Sequence, residues 1–237
     1  MRLDVYLVKS GALNSREQAK EAVTGGFVTV NGVACKKPSY DISDNDMVVF
    51  NGEKPRYAGR GGYKLEHALK AFAVNVSGKV CLDIGASTGG FTDCMLQNGA
   101  ALVYALDVGH GQLKISDARL KNMERTDIRN VNISDFKPPP EFITADVSFI
   151  SLKLILPKIK ELLPKGGEAV VLIKPQFEAG REHIGKNGLV KSMKAHQRVL
   201  ADMITFCIGN ELAVTALDFS PIKGGSGNIE YLAKLIN

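Results

Sequence analysis

The chain has 237 residues, of which 45% are hydrophobic and 23% charged, and its formal net charge is +5. This composition is typical of a globular protein and argues against a disordered chain, and the length allows one large domain or a large and a small one. The apolar runs are strand-sized, which excludes a typical membrane span, and the amino terminus lacks the features of a signal peptide. The four cysteines form no C-x-x-C pair, so we expect no metal site, no disulfide framework and a cytoplasmic location.

Residues 1–50 are predicted to form a small α+β domain. The apolar spacing between Leu3 and Val8 predicts one short helix, and Ser15 is expected to cap a second helix over REQAKEAVTGG. Asn31-Gly32 is a strong signal for a two-residue hairpin turn, and a further strand follows in DISDNDMVVF. The segment therefore combines two helices with a small set of strands.

Residues 51–60 are predicted to be a linker, because NGEKPRYAGR contains Gly, Pro and charge without periodicity. Residues 51–70 contain five Lys or Arg and two Asp or Glu, a local excess of three positive charges. Such a basic segment can meet a polyanion, with Arg56 and Arg60 as candidate contacts, although a solvated linker has the same composition.

The stretch GRGGYKLEHALKAF places a lysine at the start of a predicted amphipathic helix, whose apolar face begins at Leu65. Gly61 and Gly62 would let backbone or substrate approach closely, and Tyr63 offers a ring on which a base can stack. Taken alone, Lys64 is better explained as ordinary charge on a helix surface. The residues that follow give it another interpretation.

Residues 61–237 alternate between strands and helices. The apolar runs VCLDIG, LVYALDVG, EFITADVSF, EAVVLIKP and LAVTALDFS are separated for the most part by helical patterns at roughly 91–99, 151–163 and 191–208. This alternation predicts an α/β domain with a mostly parallel sheet covered on both faces. Ligands bind at the carboxyl ends of the strands in such sheets.

The segment VCLDIGASTGGFTDCMLQNGA predicts a strand, a glycine turn and a helix, but Ser87 stands where a dinucleotide site needs its second glycine. Asp83, just before the turn, suits an ammonium group better than a pyrophosphate. Asp107 ends the next strand and can accept both hydroxyls of a ribose, and Asp127 follows a further strand and can reach an adenine amino group. Each acid alone can equally cap a helix, but the ordered set predicts S-adenosylmethionine as cofactor. The other predicted contacts of this cofactor lie in the turn: Gly85, Ser87, Thr88, Gly89, Gly90 and Phe91.

The methylated group is predicted from the next two strand ends. ADVSF lacks the proline pair of amino-group methyltransferases, and no cysteine nucleophile for carbon methylation lies near it. Lys174 ends the following strand, where packing gives no reason for a lysine, although its side chain could simply turn to water. A ribose hydroxyl needs a base, and a lysine can serve if its ordinary pKa of about 10.4 is lowered by burial and a second cation.

Carboxylates must hold two such lysines in place. Asp146 follows one strand, Glu230 is expected to begin the last strand, and Lys64 supplies the second cation. The catalytic candidates are therefore Lys64, Asp146, Lys174 and Glu230, with Lys174 as the base.

The motifs RGGYKLEHAL, DIGASTGGFTDCMLQNGA, ADVSFISL, LIKPQFE and NIEYL together resemble the TlyA family, which comprises ribosomal RNA ribose methyltransferases historically labelled haemolysins. The resemblance spans nearly the whole chain. It implies an S4 RNA-binding domain at residues 1–50, a linker at 51–60 and an FtsJ-like, S-adenosylmethionine-dependent methyltransferase domain at 61–237. The implied fold of the large domain is Rossmann-like, with a mostly parallel seven-stranded sheet.

The resemblance also implies a Lys-Asp-Lys-Glu tetrad at the four catalytic candidates. The implied partner is ribosomal RNA in a ribosomal subunit, with no membrane and no stable protein partner. The implied RNA contacts in the S4 segment are Arg2, Ser15, Arg16 and Lys20 on the basic helix face, and Lys36 and Lys37 after the hairpin. The linker sequence PRYAGRGG departs from family members that have a bulkier apolar residue before Arg-Gly-Gly, so coupling between the domains can differ here.

The leading hypothesis is a ribosomal RNA 2′-O-ribose methyltransferase. A membrane-active haemolysin would need an apolar span, an amphipathic segment or a secretion signal. A non-catalytic RNA-binding or assembly factor has no need of two lysines and two acids at strand ends. A small-molecule methyltransferase has no need of an S4-like segment.

Overall fold

The computed structural model of the chain describes residues 1–13, 15–53, 55–224 and 227–237. These residues divide into two compact units, Met1–Gly59 and Arg60–Asn237. Of the predicted linker 51–60, the described residues up to Gly59 belong to the first unit, and Arg60 begins the second.

The first unit contains two helices and a three-stranded antiparallel sheet of order β2-β1-β3. The predicted cap is confirmed, because the Ser15 hydroxyl oxygen accepts the Gln18 N–H at 3.2 Å. The predicted hairpin is also confirmed, with positive φ angles of 52° and 79° at Asn31 and Gly32 as a two-residue turn requires. The elements are α1 (Leu3–Lys9), α2 (Arg16–Thr24), β1 (Val28–Val30), β2 (Val33–Ala34) and β3 (Val48–Phe50).

The second unit is built on a seven-stranded sheet of order β6-β5-β4-β7-β8-β10-β9. Among these strands β10 runs opposite to the other six, so the predicted mostly parallel seven-stranded sheet is confirmed. The strands are β4 (Val80–Ile84), β5 (Leu102–Asp107), β6 (Leu120–Glu124), β7 (Phe142–Ala145), β8 (Glu168–Ile173), β9 (Ala213–Phe219) and β10 (Tyr231–Ile236).

The helices of the second unit follow the predicted pattern with shifted ends. The predicted helix at 151–163 is a 3₁₀ turn followed by a shorter α-helix, and the helix predicted to start near Leu65 already begins at Gly61. Lys64 therefore lies inside this helix, on a buried side. The helices are α3 (Gly61–Ala71), α4 (Gly90–Gln97), α5 (Leu156–Leu162), α6 (Pro175–Glu178) and α7 (Met193–Gly209).

The direction of β10 positions the site. The parallel strands β4, β5, β7 and β8 end at one edge of the sheet, and β10 begins there because it runs the opposite way. The register places Tyr231 opposite Ile173. The residue before β10, Glu230, and the residue after β8, Lys174, are therefore neighbours at that edge.

Candidate active site

The four catalytic candidates form two ion pairs at this edge of the sheet. Lys64 Nζ lies 2.5 Å from Glu230 Oε2, and Lys174 Nζ lies 2.6 Å from Asp146 Oδ1. Lys64, Lys174 and Glu230 are buried, and Asp146 is half-buried. The Lys174–Asp146 contact is an ion pair without the alignment of a hydrogen bond. Such buried pairs fix the positions of all four groups, since separating one would leave a charge in a poorly solvated place.

Two side chains, Ser148 and Gln176, form hydrogen bonds with these pairs, and sequence reasoning assigned them no role. Lys174 Nζ donates a hydrogen bond of 2.9 Å to the Ser148 hydroxyl oxygen. Gln176 Nε2 donates a longer one of 3.5 Å to Glu230 Oε1. Both residues lie in motifs that the sequence analysis singled out, ADVSF and LIKPQFE, but their partners depend on how the loops fold back.

Two cavities open beside the Lys174–Asp146 pair. The larger, of about 700 Å³, is lined by Gly85, Asp107, Asp127, Asp146, Phe149 and other residues, and its volume suits a small-molecule ligand. The smaller, of about 190 Å³, is lined by Lys174, Asp146 and the glycine turn. The two share Gly85, Ser87, Asp146 and Ser148 in their walls. A ligand in the larger cavity can thus extend towards Lys174.

Gly85 is required at the junction of the two cavities. Its φ angle is +82°, and a Cβ there would come within 2.5 Å of the Asp146 backbone oxygen. The turn thus lets backbone approach backbone, leaving room for a ligand on the other side. The remaining predicted turn contacts, Ser87, Thr88, Gly90 and Phe91, line the smaller cavity, whereas Gly89 lies against Leu113 and Ile115.

Asp107 is placed where a ribose could be bound. Its side chain lines the larger cavity and accepts the N–H groups of Ser87 at 2.8 Å and Gly109 at 2.7 Å. A carboxylate oxygen can accept more than one hydrogen bond, so both oxygens can still receive a hydroxyl donor. The two backbone bonds hold the carboxylate in one orientation.

Asp127 also lines the larger cavity, but it already has a charged partner. Arg129 contacts it through Nε at 3.0 Å and Nη2 at 2.6 Å, and Asp127 accepts the Arg129 backbone N–H at 2.9 Å. The residue therefore caps the short 3₁₀ turn after β6, the alternative that the sequence left open. Arg129, which sequence reasoning missed, lines the same cavity.

Asp83 departs from its expected position. It is fully buried, and its two carboxylate oxygens accept hydroxyl hydrogen bonds from Thr92 at 2.6 Å and Thr144 at 2.9 Å. It lies outside the described lining of both cavities. Burial raises the pKa of Asp83 to about 6 despite these bonds. This geometry disfavours the predicted direct contact with an ammonium group and gives the carboxylate the role of joining β4, β7 and α4 beneath the glycine turn.

Comparison with known proteins supports the interpretation of the chain as a methyltransferase with an S4 domain. Residues 57–236 match the family model of the FtsJ-like methyltransferase, and residues 1–48 match that of the S4 domain. The chain is 50% identical to "Putative rRNA methyltransferase YqxC" of Bacillus subtilis, over 99% of this chain and 85% of that protein. It is 38% identical to "16S/23S rRNA (cytidine-2'-O)-methyltransferase TlyA" of Mycobacterium tuberculosis, over 97% and 87%.

The chain belongs to the TlyA family of FtsJ-like methyltransferases. A solved structure described as a "Putative hemolysin from Streptococcus thermophilus" superposes with a TM-score of 0.81 at 49% identity, covering 100% of this chain and 88% of that one. The predicted family, fold and methyltransferase activity are thereby confirmed.

S-adenosylmethionine is the cofactor of this enzyme class, and the site fits it. The larger cavity offers the carboxylate of Asp107 for hydroxyl donors, and Gly85 keeps the space beside Asp146 open. The carboxylate of Asp146 also favours a cationic group near the junction of the cavities.

In the S4 domain, most of the predicted RNA contacts are exposed. Lys20, Lys36 and Lys37 face solvent, and the side chains of Arg2 and Arg16 are 45% and 52% exposed. Arg56, which lies after this domain in the predicted linker, is exposed as well. Ser15 differs, because it is buried and its hydroxyl oxygen caps α2. Its contact with RNA stays a prediction, and the cap alone explains the residue.

In the FtsJ-like domain, Arg60 is exposed and the Tyr63 side chain is 36% exposed. Phe149, which sequence reasoning missed, is 92% exposed at the rim of the larger cavity. Among the described residues, no helix is both long and apolar enough to cross a bilayer.

Replacing Asp83 with asparagine should change how stability depends on pH. The folded pKa of about 6 lies above the ordinary 3.8, so the carboxyl adds stability below about pH 4 that is lost as pH rises through about 6. When pH is lowered from 7 to 4, the free energy of unfolding of the wild type should rise relative to that of Asp83→Asn, by roughly 3 kcal/mol at most. The chain has no tryptophan, so denaturant unfolding is best followed by circular dichroism. Parallel pH profiles for the two proteins would show that folding leaves this carboxyl unperturbed.

Replacing Glu178 should weaken cofactor binding. Its oxygens accept the Ser151 hydroxyl and the Leu152 N–H, each at 2.7 Å, and thereby tie α6 to the loop that carries Ser148 and Phe149. Glu178→Ala should raise the dissociation constant of S-adenosylmethionine about tenfold, measured by calorimetry, because both bonds are lost.

Glu178→Gln should bind nearly as well as the wild type. The amide oxygen can accept from Leu152, and the amide nitrogen can donate to the Ser151 oxygen. Glu161→Ala, at an exposed position of α5, is the matched control. Equal affinities for Glu178→Ala and this control would show that the bonds do not order the cavity.

Proposed function

We propose that the protein is an S-adenosylmethionine-dependent ribosomal RNA 2′-O-ribose methyltransferase that acts in the cytoplasm on RNA within a ribosomal subunit. The observation that carries the proposal is that the Lys174–Asp146 pair borders the cavities, while the register of β10 against β8 sets Glu230, with its partner Lys64, next to Lys174. The M. tuberculosis relative, whose name specifies cytidine 2′-O-methylation of 16S and 23S rRNA, supports the choice of substrate.

Lys174 is the proposed general base. When bound, S-adenosylmethionine supplies an electrophilic methyl group and a sulfonium charge, and a positive charge beside an amine favours the neutral amine. A neutral amine has two N–H bonds and one lone pair. The Ser148 hydroxyl oxygen accepts one N–H at 2.9 Å. Asp146 lies 2.6 Å away as an ion-pair partner and can accept the second N–H once the amine rotates into alignment, which leaves the lone pair for the proton of the ribose hydroxyl.

Lys64 and Glu230 are proposed to complete the site. Glu230 fixes the Lys64 ammonium at 2.5 Å, which takes one of its three N–H donors. The ammonium is thereby held as a second cation near the base and can orient the hydroxyl oxygen of the ribose. Rate enhancement would come from positioning and a preorganised field, without a covalent intermediate.

The S4 domain is proposed to position the RNA, and two rings in the FtsJ-like domain are proposed to receive the target nucleotide. Phe149 adopts a positive φ of 64°, and the centroid of its exposed ring lies 5.3 Å from that of the Phe177 ring. Tyr63 is the second exposed ring. Bases stack on such rings with little dependence on sequence, so these residues would hold an unpaired base without selecting it.

Two alternative functions can be distinguished from the proposed one by separate experiments. A non-catalytic assembly factor would bind ribosomal subunits and leave them unmethylated. Membrane activity is suggested by the hemolysin names of similar proteins, such as that of Streptococcus thermophilus, and release of dye from liposomes would detect it.

Lys174→Ala should abolish methyl transfer. The wild type, incubated with methyl-labelled S-adenosylmethionine and unmethylated ribosomal subunits, should place label in a 2′-O-methylnucleoside after digestion of the RNA. Loss of a general base should lower the rate by about 10² to 10⁴-fold. Cofactor affinity should change little, because Lys174 does not line the larger cavity.

Lys194→Ala, at an exposed position of α7, is the control and should react like the wild type. Label on a base would contradict the ribose assignment while keeping the cofactor. Full activity of Lys174→Ala would exclude this residue as the base. A wild type that binds the cofactor and both subunits without transferring label would favour the assembly factor.

A further inference from the structure

We propose that Arg2 and Arg16 of the S4 domain form a single binding site for one RNA backbone phosphate, and that the buried Asp4 is the positioning residue that holds the two guanidinium groups together. The inference rests on the proposed function in one respect, since it takes the ligand to be RNA. It gives Asp4, a negatively charged residue, a role in a surface that binds negatively charged RNA.

One carboxylate connects the two arginines. Asp4 Oδ1 accepts from Arg2 Nε at 3.0 Å, and Asp4 Oδ2 accepts from Arg2 Nη2 at 3.0 Å and from Arg16 Nη2 at 3.1 Å. Two guanidinium groups from separate segments of the chain thus share one oxygen atom. Their spacing is set by that oxygen, and it is short enough for both to reach the same phosphate.

The carboxylate is fixed and the guanidinium groups are accessible. Asp4 has no exposed surface and lies in α1, where its backbone N–H donates to the Pro38 oxygen at 3.0 Å. The side chains of Arg2 and Arg16 remain 45% and 52% exposed. The hydrogen bond from Arg2, helped by that from Arg16, lowers the pKa of Asp4 to about 2 against the effect of burial, so the anion persists at neutral pH.

Charge alone does not explain this arrangement. A carboxylate beside two arginines cancels one of their two positive charges and weakens the attraction of an isolated cationic surface for phosphate. What Asp4 contributes is order, because two unpaired guanidinium groups would repel each other and sample many rotamers. Ordering them before the RNA arrives removes part of the entropic cost of binding.

Lys20 extends the same surface. It lies four residues after Arg16 in α2 and is exposed, so the two side chains occupy the same face of the helix. A phosphate bound between the arginines would have this ammonium group next to it, in position for the following phosphate along the strand.

The decisive comparison removes a negative charge near Arg2 in two different ways. Asp4→Asn removes the buried carboxylate that bonds both arginines. Asp41→Asn removes an exposed carboxylate whose charge acts on Arg2 and whose backbone pairs with that residue. If only charge matters, both variants bind RNA more tightly than the wild type. If position matters, Asp4→Asn binds roughly tenfold more weakly, while Asp41→Asn binds equally or more tightly.

The measurement is the dissociation constant of the full-length protein for unmethylated ribosomal subunits at fixed salt concentration. Circular dichroism should be recorded for each variant. Tighter binding by Asp4→Asn would overturn the inference and leave the proposed function intact. A wild type that binds no ribosomal RNA would overturn the proposed function itself.

A second measurement does not depend on the folding of Asp4→Asn. Arg2→Gln, Arg16→Gln and the double variant should show strongly non-additive losses of affinity, because either substitution already disrupts a shared site. In the double variant, the slope of log affinity against log salt concentration should become shallower by the contribution of about one phosphate contact. Additive losses and a fall of about two would show that each arginine binds its own phosphate, and would overturn the inference.

Discussion

The antiparallel placement of β10 beside β8 is the constraint on which the candidate active site depends. In a sheet of parallel strands alone, only carboxyl ends meet at the ligand-binding edge. Reversing β10 brings an amino end to that edge, and the register of Tyr231 against Ile173 sets Glu230 next to Lys174. A one-residue slip would turn the side chains of β10 to the opposite faces of the sheet and separate Lys64 from its carboxylate.

How far the sequence predicts this site depends on whether a residue acts through its place along a strand or through contacts from elsewhere. Lys174 and Glu230 were identifiable because charged residues at the ends of buried strands have few structural explanations. Asp83 follows the same logic, yet its hydroxyl partners, Thr92 and Thr144, come from other elements and enclose it. The sequence gives no spacing rule for such contacts.

The same limit applies to an outermost strand, β6, and to α6. The strand β6 is one of the two outermost strands of the sheet, and its sequence LKNME is partly exposed and partly polar. Only the expectation of a strand before Asp127 pointed to it. Gln176 and Glu178 lie in a recognisable motif, but their partners, Glu230 and Ser151, are 54 and 27 residues away. Long-range hydrogen bonds of this kind become visible only once the loops are in place.

Both domains fix their cations with poorly exposed carboxylates, and the purpose differs with the surroundings. Glu168 at the amino end of β8 pairs with Lys79, just before β4, and with Lys234 in β10, away from the ligand-binding end of the sheet. These two ion pairs simply join parts of the sheet. Asp4, Asp146 and Glu230 instead hold cations that face a proposed substrate. Burying such carboxylates adds little net stability, because desolvation offsets most of the attraction. Their value lies in position: a guanidinium or amine that is already oriented loses less entropy when the RNA binds, and it meets the reacting hydroxyl without rearrangement. The charge that each carboxylate removes from the RNA-facing surface is thus exchanged for a fixed geometry.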